Sequence, residues 1–277
     1  MEKRAIVYSY NKKDNRRYGI HYDELRYSID TLRTYNKDIP IHLYLSTTCI
    51  LDEIVELDIS KRYDNITIHY FDGINKNPEQ WHSDFIAEGF WHCLYHRWRN
   101  AIDCLLYEDI DCILFLDSDT VFYDDVELLF DRYHDRSIIY AKPDVYEALA
   151  IKKLIDLFNI YPAMNDGQFL LSKNIANKLS ENLEGDQQRL IKYLLDYPDS
   201  ENLPNKKWTS IQYTMYLLLK EKNIPLIYFN DSDVTLGKEK FQLRKSQLKQ
   251  YDNLILHHYF TSNREGNLPE EYTKKLK

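Results

Sequence analysis

Two aspartates one residue apart, Asp117 and Asp119, close the run Ile113-Leu-Phe-Leu-Asp117-Ser118-Asp119-Thr-Val. In extended backbone, residues two apart face the same side, roughly 6–7 Å from one another. Both carboxylates can therefore converge on one hard divalent cation, directly or through water. Open α/β sheets place ligands beyond the carboxyl ends of their strands, and this pair follows such an apolar run. Far downstream, His257 and His258 stand side by side. A strand there sends them to opposite faces, so only one can reach a cation held by the aspartates. Carboxylates with an imidazole suit manganese better than magnesium. The structural alternatives are a strand-ending turn with solvated aspartates and a hydrogen-bonded core histidine.

Asn165-Asp166-Gly167 offers an amide and a carboxylate to a polar ligand, although Asp-Gly is also strong turn chemistry. Arg97 and Arg99 lie on a helix whose apolar stripe runs through Trp91, Leu94, Trp98, Ile102 and Leu105. Arg264 could pair with a diphosphate through its planar fork, or be a solvated charge. Tyr8, Tyr10 and Tyr18 fall near the end of the first expected strand, where a nucleobase could stack on them. The chain has 24 tyrosines, so ordinary packing is the stronger claim on any one of them.

The elements that must position these groups alternate in period. Ala5–Tyr10 reads as a first strand, Asp23 to Tyr35 as a helix with Asp23 as N-cap, Ile39–Ser46 as a second strand and Cys49–Leu57 as a short helix. A third strand covers Ile66–Phe71, a long helix Phe85–Tyr107, and a fourth strand Ile113–Leu116, apolar throughout as burial on both faces requires. Helices are then expected near Val126–Phe130, Val145–Phe158, Asn174–Asn182, Gln187–Leu195 and Ile211–Lys220, and strands at Ile138–Ala141, Gln168–Leu171, Leu226–Phe229 and Leu254–His257. No repeat or Gly/Ser-rich linker divides the chain. The expectation is one α/β domain with a mostly parallel central sheet flanked by helices, over residues 1–277.

Composition narrows the partners. The chain of 277 residues carries Lys+Arg 36 against Asp+Glu 44, a formal charge of −8, and no long basic run. That balance argues against nucleic acid or an anionic membrane surface as the main partner. The four cysteines, Cys49, Cys93, Cys104 and Cys112, form no CxxC, and no transmembrane segment is expected. A reducing, cytoplasmic setting fits.

The segment Ile110-Asp-Cys-Ile-Leu-Phe-Leu-Asp-Ser-Asp-Thr-Val-Phe resembles the DxD segment of GT-A (Rossmann-like) glycosyltransferases, and most resembles family 8, which includes glycogenin and the lipopolysaccharide galactosyltransferases. Three further places match in order. Arg99, with Arg97 as the alternative, precedes Leu105-Leu106 like the family's nucleotide-contacting helix. Met164-Asn165-Asp166-Gly167-Gln-Phe-Leu-Leu is similar to its Asn-x-Gly-x-x-Leu-Leu segment, and Leu256-His257-His258-Tyr259 with Arg264 resembles its His-aromatic motif. Where the family has Lys-Pro-Trp this chain has Arg264-Glu265-Gly266, and Tyr8-Ser9-Tyr10-Asn11 replaces an acidic residue after the first strand.

The resemblance implies a manganese (or magnesium) ion held by Asp117, Asp119 and His258, and a donor contacted by Tyr8, Tyr10, Arg99, Ser118 and Arg264. It also implies reacting-side roles for Asp166 and for Gln212, which is expected just ahead of a helix, with Asp186-Gln187-Gln188 as the competing Asp/Gln segment. The implied activity is metal-dependent transfer of a hexose from a nucleotide sugar, UDP-linked by the resemblance, to a glycan, lipid-linked or protein hydroxyl, with retention. Residues 1–120 would bind the nucleotide sugar and 121–277 the acceptor. Two other readings compete: a haloacid-dehalogenase-type phosphatase with Asp117 as nucleophile, whose hhhhDxDx[TV] pattern the same run satisfies, and a non-catalytic nucleotide-sugar-binding module.

Overall fold

The computed structural model describes residues 2–11, 18–47, 52–83, 88–143, 164–196, 206–237 and 254–259. Strands β1 (Arg4–Tyr10), β2 (Ile41–Ser46), β3 (Ile66–Phe71) and β4 (Cys112–Leu116) run parallel, joined by α1 (Tyr18–Tyr35), α2 (Asp52–Arg62) and a long helix before β4. That helix consists of α3 (Glu88–Trp91), a π-helical segment His92–His96 and α4 (Arg97–Tyr107). The sheet continues through β7 (Met164–Ser172), antiparallel to its neighbours β4 and β6 (Ile139–Pro143), and ends in β8 (Leu226–Tyr228). Helices α5 (Glu127–Arg132), α6 (Lys173–Ser180), α7 (Leu183–Asp196) and α8 (Lys206–Glu221) complete the described helices. The expected fold class, α/β with a mostly parallel central sheet flanked by helices, is what the chain adopts, the sheet having seven strands among the described residues.

Alternation explains why β4 is apolar throughout. Cys112, Leu114 and Leu116 pack with Leu25, Ile29 and Leu32 of α1, while Ile113 and Phe115 pack with Trp98, Ala101 and Ile102 of α4. On the α4 side three rings stack: Trp98 on Phe169 at 4.1 Å and Phe169 on Phe115 at 4.8 Å. They tie the helix to the two strands that flank the DxD segment.

Several boundaries differ from the sequence reading. The first helix begins at Tyr18 rather than Asp23, so Asp23 lies within it beside Arg26 instead of capping it. The expected strand at Gln168–Leu171 extends back to Met164, because Met164 and Asn165 pair with Pro143 and Lys142 of β6 beyond a register shift between Ala141 and Lys142. The helix holding Gln212 starts at Lys206, placing Gln212 inside it. A second sheet, β5 (Thr120–Phe122), β10 (Leu256–Tyr259) and β9 (Val234–Gly237), was not anticipated beyond its β10 strand, since strands of three or four residues leave too little periodicity to read. The helix expected at Val145–Phe158, along with Cys49 and Arg264, lies outside the described residues.

The ring stack should dominate the stability of this layer. Trp98→Ala is expected to lower unfolding free energy by roughly 3–5 kcal/mol, as for large buried aromatics elsewhere. Urea denaturation checks this; a loss well under 1 kcal/mol would mean α4 is held by other contacts.

Candidate active site

Beyond the end of β4 the backbone passes through Asp117, Ser118 and Asp119 and at once enters β5. In the small sheet β5 pairs antiparallel with β10, with Thr120 opposite His258. This pairing brings a residue some 140 positions away to the DxD, the separation between His258 and Asp119 being 139. His258 Nε2 lies 2.9 Å from an Asp119 carboxylate oxygen and 3.9 Å from one of Asp117. Its neighbour His257 turns the other way, where its Nδ1 meets the Thr235 hydroxyl of β9 at 2.7 Å. The opposite facing of the two histidines follows from strand alternation.

Asp117, Asp119 and His258 form one of two groups among the described residues whose ligand atoms all fall within 4.8 Å of one another. The donors fit a divalent cation that accepts oxygen with nitrogen, manganese above all. Electrostatics favour the same occupant. Asp117, Asp119 and the buried Asp166 bring three carboxylates to the site, and Arg97 supplies the guanidinium: 2.8 Å from Asp117 and 3.4 Å from Asp166. Burial works against the charge on Arg97, yet Asp117, Asp166 and Asp119 raise its pKa. Burial likewise opposes charge on His258, but the Asp119 carboxylate outweighs it and raises the imidazole's pKa. Asp166 is pushed above the usual carboxylate range by burial, with Arg97 pulling the other way.

Glycine at 167 is dictated by this crowding. A Cβ there would sit 2.3 Å from an Asp117 carboxylate oxygen and 3.0 Å from the Asn165 side-chain oxygen, and the latter accepts a hydrogen bond from the Gly167 N–H at 2.9 Å. In turn the Asp117 N–H donates to the Gly167 carbonyl at 2.7 Å. Asn165-Asp166-Gly167 thus acts as a strand wall behind the DxD.

The remaining expected residues fall in different places. Ser118 stands half-buried between the two aspartates. Arg99 pairs with Asp103 one turn along α4 at 2.9 Å, and it is Arg97, weighed as its alternative, that reaches the DxD. The reason is helical phase, two residues turning the side chain well round the helix. Tyr8 is buried between β1 and α1, its hydroxyl 2.8 Å from that of Ser28, and Tyr10 belongs to the same core cluster, so neither phenol ring lies open for stacking. Tyr18 starts α1. Gln212 is buried within α8, while Gln187, from the competing segment, donates to the Leu94 carbonyl in the π-helical segment at 2.6 Å. Sequence reading passed over Lys142, opposite Asn165 across the bulge, which is buried, pairs with Asp231 and donates to the Phe229 carbonyl at 3.3 Å. Its only sequence signal was a lysine closing an apolar run.

No protein-family model and no curated protein matches the chain. Solved structures do. The galactosyltransferase LgtC, in complex with donor and acceptor sugar analogues, superposes with a TM-score of 0.63 at 13% identity, covering 98% of this chain and 94% of that one. Mouse xyloside xylosyltransferase 1 gives 0.58 at 12% identity over 96% and 99% of the two chains. The glycosyltransferase GlyE of Streptococcus pneumoniae gives 0.53 at 15% identity, covering 98% of this chain and 60% of its own. These likenesses show that the chain has the GT-A fold of such glycosyltransferases.

Three substitutions test the geometry. Gly167→Ala should displace the Asp117 carboxylate and weaken manganese binding by roughly tenfold or more, the scale seen when a ligand's support is disturbed. Calorimetric titration with manganese reads this, and unchanged affinity would show that Asp117 is not a ligand. His258→Ala should weaken manganese binding more than His257→Ala, which should act on melting temperature through the lost Thr235 bond. The reverse order of manganese affinities would assign the ligand to His257.

Proposed function

We propose that this chain is a family 8-type glycosyltransferase that moves a hexose from a nucleotide sugar, UDP-linked, to a hydroxyl acceptor with retention. The observation that carries the reading is the convergence of Asp117, Asp119 and His258 beyond the carboxyl end of β4, within a GT-A fold. Asp117, Asp119 and His258 would hold manganese (or magnesium). When bound, that cation neutralises charge developing on a departing diphosphate. Arg97 adds a fixed positive charge at the same place, held by Asp117 and Asp166. Ser118 and Arg264 remain donor-side candidates in this proposal.

On the acceptor side, Asp166 offers a carboxylate oriented by Arg97, and Gln212 is retained as a reacting-side candidate. Transfer with retention asks no strong base of Asp166, whose raised pKa and ion pair suit it to binding a hydroxyl. The first 120 residues would serve the donor and the rest the acceptor, a glycan, lipid-linked or protein hydroxyl. A phosphatase using Asp117 as nucleophile is disfavoured because three strands, β1, β2 and β3, precede the β4 strand that carries the DxD, whereas that motif normally follows the first strand. The buried free thiols Cys104 and Cys112 support a cytoplasmic setting. No described helix is long and apolar enough to cross a membrane.

The deciding experiment is a screen of nucleotide sugars for transfer and hydrolysis with manganese and with chelator, run beside p-nitrophenyl phosphate. Manganese-dependent UDP-sugar turnover, lost in Asp119→Ala, is the expected result. Phosphatase turnover would overturn the reading, and UDP-sugar binding without any turnover would make the chain a binding module. Asp166→Asn should depress transfer by about 1–3 kcal/mol of lost interaction while donor affinity stays within a few-fold. An equal fall in donor affinity would refute the division into donor and acceptor sides.

A further inference from the structure

A second histidine cluster lies across the sheet from the DxD. His42 of β2 and His69 of β3 project from the same sheet face as Tyr44, with Tyr44 directly opposite His69 and its ring stacked on the imidazole at 4.5 Å. His42 Nδ1 and His69 Nε2 are 2.9 Å apart. The other nitrogen of His69, Nδ1, faces the Glu108 carboxylate at 3.9 Å. Glu108 is the residue that ends α4, and its side chain is 36% exposed, so the cluster opens to solvent on one side. One ligand atom from each residue lies within 4.8 Å of the others.

We infer that His42, His69 and Glu108 form a second metal site, selective for a nitrogen-preferring divalent ion such as zinc. Zinc bonded tetrahedrally to two imidazoles at about 2.0–2.1 Å holds their nitrogens about 3.3–3.4 Å apart, so the 2.9 Å pair needs to open by only about half an ångström with small ring rotations. No backbone movement is needed. The half-exposed Glu108 can swing in as a third ligand, or stay on Nδ1–H of His69 and orient that ring as carboxylates behind metal-bound histidines do. The proton now shared between the rings moves to a ring nitrogen turned away from the ion, so both imidazoles bind in the neutral form without net loss of a proton. Burial favours that form, holding His42 down at about 4 and lowering His69.

The two sites should sort metals by donor type. Asp117, Asp119 and His258 are oxygen-rich, whereas His42 and His69 lead with nitrogen, and zinc exceeds manganese in affinity for imidazole. Strands β2 and β3 are two and three places from β4 in the sheet, so the sites are roughly 10–15 Å apart across it and share no residue. An ion there would pin the edge strand β3 to β2 and to the end of α4.

The test is a zinc titration of the full chain carrying Asp119→Ala, which removes a ligand of the other cluster. One equivalent of zinc should bind with a rise in melting temperature, and excess manganese should not displace it. Adding His69→Ala should abolish that binding, and adding Glu108→Gln should weaken it by roughly 10–100-fold. Cobalt in place of zinc should give visible absorption bands that vanish with His69→Ala. Zinc affinity unchanged by both Glu108→Gln and His69→Ala, or no zinc bound at micromolar concentration, overturns the site and leaves a hydrogen-bonded histidine pair. Should His69→Ala not fold, Glu108→Gln decides alone. Manganese-dependent turnover by Glu108→Gln in the otherwise native chain should be unchanged, so this inference and the proposed function fail separately.

Discussion

The arrangement of the whole molecule turns on one electrostatic problem: three carboxylates, Asp117, Asp119 and Asp166, gathered at one place with water largely excluded. Unpaired charges in such a place cost several kcal/mol each. Arg97 bridges two of the carboxylates and His258 contacts the third. Each of these two partners is delivered by a different layer of the fold. Arg97 is the first residue of α4, directly after the π-helical segment, while His258 comes from the small sheet appended to the other side.

That constraint explains features that otherwise look unrelated. The ring stack of Trp98, Phe169 and Phe115 fixes α4 against β7 and β4, and so sets the height at which Arg97 meets Asp117. The absence of a side chain at Gly167 lets β7 come close enough for its carbonyl to bind the Asp117 N–H. In the π-helical segment, the wider turn shifts helical phase ahead of Arg97, and Gln187 of α7 holds the Leu94 carbonyl there. Local irregularity is thus concentrated where side chains must be aimed.

The His42–His69 pair shows the other use of the same sheet. Within β2, Ile41, Leu43 and Leu45 face α1, leaving His42 and Tyr44 on the α4 side. The imidazoles are polar residues on a largely apolar face, tolerated because each supplies the other's hydrogen bond. At the DxD the polar groups carry charge and need a charged partner, whereas here they are neutral, and the demand on a ligand is for soft nitrogen-metal bonding instead.

Sequence alone determined the features that rest on local period. The apolar run Ile113–Leu116 could only be a strand buried on both sides, the Ile66–Phe71 strand matches end for end, and two aspartates at i and i+2 past a strand define a shared face without knowledge of any neighbour. Alternation also forced His257 and His258 apart. What period could not supply was phase relative to distant elements. Whether Arg97 or Arg99 met the DxD depended on which side of α4 the ring stack buried, and the burial of Tyr8 against Ser28 depended on how α1 lies on β1. Asn165-Asp166-Gly167 carries the letters of a turn, and only its tertiary setting makes it strand, Asn165 pairing with Lys142 of β6 and the Gly167 carbonyl accepting the Asp117 N–H. Strands as short as Thr120–Phe122 have no independent signal, because their hydrogen bonds and buried area come from elements far along the chain, Thr31 of α1 and the ladder with β10, and β10 is what brings His258 to Asp119.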